Sequence, residues 1–477
     1  MVISPRSYFV FTPFLNDTAV GTLEFRTALE PVRRKNSGVS FVQGWADDVD
    51  FADKTVTVEP SVLDPDVGHA LTGERTGNKS IQPEGHAAPT FKVSYDKLII
   101  AVGCYSQTFG TKGVREHAMF LKDVGDARKI RRRILELFEM AVLPTTSDKI
   151  RDALLHFAIV GGGPTGMEFA AQLCDLVHQD LRKLYPALTE HVQISLYDVA
   201  PKVLPLFDAS LTDYAVRHYK RQGIEIKTSH HVKELRQAPI PSNANESPPK
   251  GGIYTLHTKE EGPINIGMCV WTTGNAPNPF IAKALHPPLP SYPINSATLT
   301  TPPLSPHHPP SGQWHISHDA KTGALLVDPS LRLKLHTQPH SLNDQQAATA
   351  ATATAIMTDV WCLGDAAHVA SAPLPATAQV ANQQAVWLAK HLNTNDTRVF
   401  EFRNLGIMAY LGDDKALLQG GDGFTDGEGH TRGIKGWLAF VLWRAAYLTM
   451  TLSWRNRILV LAYWLLNRGF GRDVTRF

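Results

Sequence analysis

The sequence predicts a doubly wound α/β fold with a helical C-terminal module, and three observations carry that reading. Short apolar runs that end in glycine or an acid alternate with stretches of helical pattern, as parallel sheets with crossover helices require. One such run, "FAIV", feeds straight into Gly161-Gly162-Gly163-Pro164-Thr165-Gly166 and the helix "MEFAAQL". From Arg432 onward the chain changes character and becomes rich in Trp, Leu and Arg.

With 477 residues the chain has room for about three domains of roughly 150 residues each. Its 43% hydrophobic and 19% charged content is that of an ordinary globular protein. Lys+Arg 47 against Asp+Glu 45 leaves no global charge bias, so no nucleic-acid partner is expected. Cys104, Cys174, Cys269 and Cys362 stand singly, with no CxxC pair. Disulfide redox chemistry and a zinc site are therefore not expected. No DxDxDG calcium loop occurs either, and no metal is assigned.

Taken in order, "MVISPRSYFVFTPFL" reads as the end of a strand followed by a loop running into an active site. A βαβ unit needs a strand, a Gly-rich turn and a helix ahead of such a strand end. Either the first domain never had these, or the chain is a shortened form, the reading that the resemblance named below implies. "YDKLIIAVGCYSQTFG" is an apolar run ending in glycine. "LLHFAIVGGGPTGMEFAAQLCDLVH" is strand, turn and helix, and "VQISLYDVAPKVL" is a strand with an acidic exit. "MCVWTTGNAPNP" and "DVWCLGDAA" are further short strands, and "PATAQVANQQAVWLAKHL" is a helix with Pro near its start. Four stretches read as surface insertions: about Glu59 to Thr90, "QAPIPSNANESPPKGG", "HPPLPSYPINSATLTTPPLSPHHPPSG" and "QPHSLNDQQAATAATATAIMT". Pro and Ser/Thr crowding there leaves too little apolar surface to offset the entropy of ordering.

The glycine turn carries the strongest chemistry. Gly161 allows the tight turn, Gly163 lets a pyrophosphate approach the backbone, and Gly166 lets helix and strand pack closely. The helix N-terminus offers amide donors and positive dipole to phosphates. Asp198 ends the next strand, where an acid accepts the ribose hydroxyls of NADH and repels the extra phosphate of NADPH; a solvated loop acid is the other reading. Its spacing from the glycines exceeds the usual value of about 20, which an extended helix and loop, "CDLVHQDLRKLYPALTEHV", would explain. Glu168, in the first turn of the helix, is either an acid stabilised by the dipole or a group beside the nicotinamide. Asp365 in "CLGDAA" is either a loop acid or a contact for the ribityl chain of FAD. Gln379 and Gln383 lie at i and i+4, so their amides share a face, with small Ala378 and Ala381 alongside. That face is either solvated or binds carbonyl oxygens.

In the C-terminal stretch Trp437, Trp443, Trp454 and Trp464 fall among many Leu and Tyr. Arg432, Lys435, Arg444, Arg455, Arg457, Arg468, Arg472 and Arg476 face a single acid, Asp473. A mid-bilayer Arg costs about 2.5–3.5 kcal/mol, and a spanning helix needs about 20 nearly uncharged residues. Two amphipathic helices lying in the membrane interface fit better, Trp and Tyr at headgroup depth and Arg on anionic lipid. A buried helical hairpin at a dimer interface is the alternative.

"SPRSYFVFTPFL", "GGGPTGMEFAAQL", "WTTGNAP", "CLGDAA", "ATAQVANQQA" and "YLGDDKAL", in this order, resemble the type II (alternative, rotenone-insensitive) NADH:ubiquinone oxidoreductases in their fungal mitochondrial form. "GWLAFVLWRAAYLTM" resembles that family's membrane-anchoring tail. The resemblance implies two Rossmann-like domains of the pyridine nucleotide-disulfide reductase kind, binding FAD and NADH, plus the helical anchor. Residues 1–150 would be the first part of the FAD domain and 151–285 the NADH domain. A low-complexity insertion and return segment (286–358), the second FAD part (359–430) and the anchor (431–477) would follow. The implied activity is hydride transfer from NADH to FAD, then electron delivery to ubiquinone without proton pumping, at the surface of the mitochondrial inner membrane. Ser4 and Arg6 match the adenosine side of FAD, Thr12 and Pro13 the flavin side, and Asp365 the ribityl contact; Gly103 and Ala378 join this set. Gly161, Gly163, Gly166, Glu168 and Asp198 match the NADH site, with Gly274. Gln379 and Gln383 would border the flavin and quinone head, and Tyr447 the quinone entrance. Glu168, Gln379, Gln383 and Tyr447 form the expected catalytic set. Ubiquinone and the membrane surface are the implied partners, a homodimer remaining open. Two competing readings are a non-catalytic NADH-binding, membrane-associated remnant and a soluble flavoprotein reductase.

Overall fold

The computed structural model describes residues 1–34, 38–62, 89–238, 252–293, 296–300, 313–338, 353–394, 398–422 and 433–475. Seven helices frame the site: α1 (Leu15–Ala19), α2 (Val124–Val142), α3 (Pro164–Leu176), α4 (Ala209–Gln222), α5 (Ala378–Thr394), α6 (Trp437–Met450) and α7 (Trp454–Phe470).

Five strands form an all-parallel sheet in the order Ile224–Thr228, Gln193–Asp198, His156–Val160, Met268–Trp271, Met119–Phe120. Helices cover such sheets on both faces, so the strands must be apolar throughout; every residue of His156–Val160 is buried. Met119–Phe120 precedes the expected boundary at 150. It seats against the otherwise open edge of Met268–Trp271, and α2 packs its apolar face into the same core. The nucleotide body therefore recruits chain from before residue 150. The long path to Asp198 also has its explanation: α3 is extended by a π-turn (Val177–Leu181), a short helix (Arg182–Leu184) and a 3-10 segment (Pro186–His191).

On the other side, Val2–Ser4 runs parallel to Phe41–Asp50, which continues antiparallel into Thr55–Pro60 and Phe91–Ser94. Leu98–Ile100 runs parallel to Thr354–Cys362 within a seven-stranded mixed sheet. The expected insertion 286–358 contributes to that sheet: Ala297–Leu299, Gln313–Ile316, Leu325–Val327 and Arg332–Gln338 are all strands. "AIMT", expected as loop, opens the Thr354–Cys362 strand, with Ala355 and Met357 buried on alternate positions. The flanking Ala/Thr repeat hides this alternation in the sequence. The remaining expected insertions fall mostly at 63–88, 239–251, 301–312 and 339–352, outside the described residues.

The C-terminal module is an antiparallel sheet of Ile407–Gly412, Lys415–Gln419 and Gly433–Gly436, followed by α6 and α7. Ser453 caps α7 by accepting from the Asn456 amide at 3.2 Å. The module is fastened to the N-terminal segment. The Asn456 side-chain amide donates to Leu29 O and Glu30 Oε1, both at 2.9 Å, and that of Asn467 donates to Thr22 O at 2.6 Å. Among the described residues no helix is long and apolar enough to cross a membrane.

Candidate active site

The strand-to-helix turn is built as its sequence dictates. Gly161 sits at φ +121°, and a Cβ there would meet Thr272 Oγ1 at 2.8 Å. A Cβ on Gly166 would lie 2.0 Å from Gly161 O, so only glycine permits this approach of helix and strand. Gly163 caps α3 and Pro164 occupies its first position. Nothing lies within 4 Å of where a Gly163 Cβ would be, so this side of the turn is open to a ligand. The Asp198 carboxylate lies beside the turn and accepts from the Gly162 amide and, at 2.7 Å, from that of Ala200. It is half-buried rather than a solvated loop acid. Gly274 adopts φ +75° and touches Gln107 and Phe109, tying this sheet to the segment after Gly103.

Glu168 is neither a surface acid nor a simple partner of the helix dipole. It is buried, with Oε1 accepting from the Tyr410 amide at 2.9 Å and Oε2 from Asn16 Nδ2 at 3.1 Å. Burial, reinforced by the nearby Asp17 carboxyl, pushes it up to about 8. Gln172 and Asp175 follow at i+4 and i+7 of the same helix and are also buried. Gln172 Nε2 donates to Asp17 Oδ1 at 2.9 Å; the Tyr410 hydroxyl donates to Asp175 Oδ2 at 2.6 Å. A polar stripe on α3 thus faces α1 and the C-terminal module. Asn16, Asp17, Gln172 and Tyr410 escaped the sequence reading. Their available signal was the 168, 172, 175 spacing, which places three polar residues on one face of an otherwise apolar helix.

The residues matched to FAD fall in three places. Ser4 Oγ accepts from the Arg6 amide at 3.2 Å, and the Arg6 guanidinium pairs at 3.1 Å with buried Asp123, which caps α2. Thr12 and Pro13 form a 3-10 turn running directly into α1, so they stand one turn from Asn16 and hence near Glu168. Gly103 (φ +68°) has open space where a Cβ would be; its neighbour Cys104 reaches Asp365 Oδ2 at 3.0 Å, with Lys122 Nζ 2.9 Å from the Cys104 sulfur. Gly364 (φ +70°) approaches Ala381 of α5, and Gln384 Oε1 accepts its amide at 2.7 Å. Ala378 begins α5.

Gln379 and Gln383 do share one face, but that face is neither solvated nor free. The Gln379 amide bonds Leu405 N and Gly406 O at 3.0 and 3.2 Å; that of Gln383 bonds Arg403 N and O at 3.0 and 2.8 Å. Both staple the strand-like strap that leads into Ile407–Gly412. Tyr447 packs edge-on against Phe11, Phe14 and Trp443, at 6.2, 6.3 and 5.0 Å between ring centroids. Arg444, expected on the lipid side, turns inward: its guanidinium lies 4.5 Å from the Phe440 ring and 4.6 Å from the Trp464 ring. Arg457 donates to Thr449 O and Thr451 O at 2.9 Å and so closes the α6–α7 corner, while Arg472 pairs with Asp180 at 2.6 Å. Arg432 and Arg476 lie outside the described residues. The outward apolar surface is large: Trp437, Trp454, Leu465 and Phe470 are 66%, 76%, 75% and 88% exposed.

An open glycine turn on a parallel sheet, an acid at the next strand end and a buried carboxyl at the seam of three segments define a pyridine nucleotide-dependent oxidoreductase. The family described as "Pyridine nucleotide-disulphide oxidoreductase" matches residues 2–291, and "NDH2 C-terminal domain" matches 404–473. A "Probable NADH dehydrogenase" of Dictyostelium discoideum is 33% identical over 100% of this chain and 85% of its own length. "External NADH-ubiquinone oxidoreductase 2, mitochondrial" of Saccharomyces cerevisiae is 31% identical over 99% of this chain and 77% of its own length. Among solved structures, NDH2 from Plasmodium falciparum in complex with NADH has the same fold, with a TM-score of 0.72 at 20% identity, covering 99% of this chain and 94% of that one. The chain belongs to the type II NADH dehydrogenase family.

Proposed function

We propose that this chain oxidises NADH with the help of bound FAD and passes the electrons to ubiquinone at the surface of the mitochondrial inner membrane, without pumping protons. One observation carries the reading. Glu168, in the first turn of the helix that opens at the glycine turn, is bonded both to Asn16, beside the Thr12-Pro13 turn, and to Tyr410 of the C-terminal module. Nicotinamide side, flavin side and tail meet at one carboxyl.

The residues present fit a flavin nucleotide. Gly103 offers an open backbone edge, Asp365 an acid for ribityl hydroxyls, and Ser4 and Arg6, the latter held by Asp123, the adenosine side. FAD, when bound, supplies a two-electron acceptor. The chain's own contributions follow from its geometry. The α3 N-terminus and the open side of Gly163 receive the NADH diphosphate, and Asp198 receives the ribose. Glu168, held largely protonated near neutral pH, keeps a proton at the seam. Tyr447, Phe11, Phe14 and Trp443 form a packed aromatic cluster whose edge would border a quinone ring. Gln379 and Gln383 act by fixing the 403–406 strap.

The NADH body spans about 114–271, with Ile281 and Leu285 packing into the core of the other sheet; FAD belongs to the segments on either side, and 431–477 is the anchor. The exposed apolar faces of α6 and α7, with exposed Arg455, rest on anionic lipid. A homodimer would use the same faces; sedimentation in detergent separates the two. The test is NADH oxidation by the FAD-loaded protein with a short-chain ubiquinone. Quinone reduction dependent on both NADH and FAD is expected; FAD and NADH binding without quinone reduction overturns the proposal.

A further inference from the structure

Reduction of ubiquinone (Q) to ubiquinol (QH2) takes up two electrons and two protons. NADH provides two electrons and one proton as hydride, so the balance NADH + Q + H⁺ → NAD⁺ + QH2 leaves one proton to be found at the site. We propose that Asp17, on α1, is a proton-holding positioning residue that acts through Glu168 to meet this need. The inference rests on the quinone-reducing function proposed above.

The argument is geometric. Asp17 is 2% exposed, and its Oδ1 is held by Gln172. Oδ2 is buried and has no protein partner, and the same is true of Asn16 Oδ1, Arg444 Nε and Trp464 Nε1. Buried polar atoms are rarely left unpaired. The Arg444 guanidinium lies over the Trp464 ring and its charge is felt at Asp17, so unpaired acceptors and donors share this region, which suits ordered water. The Asn16 amide donates to Glu168, both carboxyls are buried, and the Asp17 charge is felt at Glu168, so the two lie in one enclosed region.

The charges around Asp17 are few. Glu168 and Asp175 face it from α3, Arg444 from α6 and Arg472 from the C-terminal segment, with the Tyr410 and Tyr447 hydroxyls nearby. Arg131 of α2 is engaged with Glu24 and the Asp473 carbonyl instead. Burial outweighs the two arginines and pushes Asp17 up to about 7, and the nearby Glu168, itself raised by burial, adds to the cost of ionising both carboxyls together. A chain of hydrogen bonds from Gln172 through Thr22 to Arg472 and Asp180 fixes the position of the Asp17 carboxyl.

The test compares two electron acceptors in the FAD-loaded protein. Ferricyanide takes electrons and no protons; a short-chain ubiquinone takes both. In Asp17→Asn the ratio of quinone rate to ferricyanide rate at about pH 8 is expected to fall roughly tenfold or more, its pH dependence between about pH 6 and 8 flattening, and Asp17→Glu should restore most of it. An independent readout is the infrared pH-difference spectrum of the protein without FAD: Asp17→Asn should remove one protonated-carboxyl band present at about pH 6. An unchanged rate ratio with an unchanged pH profile, or no lost carboxyl band, overturns the proposal. Should Asp17→Asn fail to fold, Asp17→Glu carries the test, and an unmoved pH profile sinks it. A wild-type protein that reduces ferricyanide but no quinone would instead overturn the functional reading, leaving the infrared result to judge Asp17.

Discussion

Replacing Gly163 by alanine separates a binding role from a folding role. Gly163 sits at φ −75°, ψ 177°, an extended conformation alanine adopts freely, and a Cβ there meets nothing within 4 Å. Stability should therefore move little. Lower unfolded-state entropy contributes about 0.4–1 kcal/mol, and the poorer N-cap removes a similar amount, for a net change under about 1 kcal/mol. The ligand should feel the methyl strongly, because it fills the side of the turn proposed for the diphosphate. Overpacking of that kind costs about 1–3 kcal/mol, or roughly 5- to 150-fold in NADH affinity. Calorimetric titration with NADH, alongside a urea midpoint, gives both quantities. Wild-type affinity at wild-type stability would refute the placement of NADH at this turn.

Three further outcomes follow from the same geometry. Gly166→Ala, whose Cβ would lie 2.0 Å from a backbone oxygen, should lower stability by at least about 1–3 kcal/mol, read as a drop in urea midpoint. Replacing Trp454 and Phe470, 76% and 88% exposed, by serine should weaken co-sedimentation with vesicles of phosphatidylcholine and phosphatidylglycerol by at least about tenfold, at about 1.5–3 kcal/mol for each side chain that lipid buries, while leaving the circular dichroism unchanged. Asp17→Asn should also change stability with pH. The native acid is raised from 3.8 to about 7, so its neutral form stabilises the fold below about pH 4, and that stability is lost as pH rises through about 7. The variant should thus match wild type near pH 4 and exceed it by roughly 4 kcal/mol above pH 7, measured by urea denaturation across that range.

Much of this fold is legible in the chain because its signals are local. A five-residue buried strand, three glycines and a helix are contiguous, so 156–176 alone announces the strand-turn-helix unit. Asp198 lies one strand further on and reads nearly as directly. Where partners are far apart in sequence, the signal fails. Met119–Phe120 is too short to announce a strand and gains its role only from the edge of Met268–Trp271. Thr354–Cys362 begins inside an Ala/Thr repeat that looks like filler. Gln379 and Gln383 carry the right pattern for a ligand face, yet their amides are taken by a strap some 20 to 27 residues away. Arg444 reads as a lipid-facing cation until Phe440 and Trp464 enclose it. Asp17 is a lone acid in an N-terminal loop, and only the docking of α3 and the tail makes it a buried carboxyl.

The measurement that bears most directly on the account is NADH oxidation by the FAD-loaded protein bound to vesicles containing a long-chain ubiquinone, compared with the Gly163→Ala variant. Rapid ubiquinol formation by the wild type, and loss of most of that rate at low NADH in the variant, with recovery at high NADH, is the expected result. Ubiquinol formation that is indifferent to the variant, or absent from the membrane-bound wild type, would contradict it.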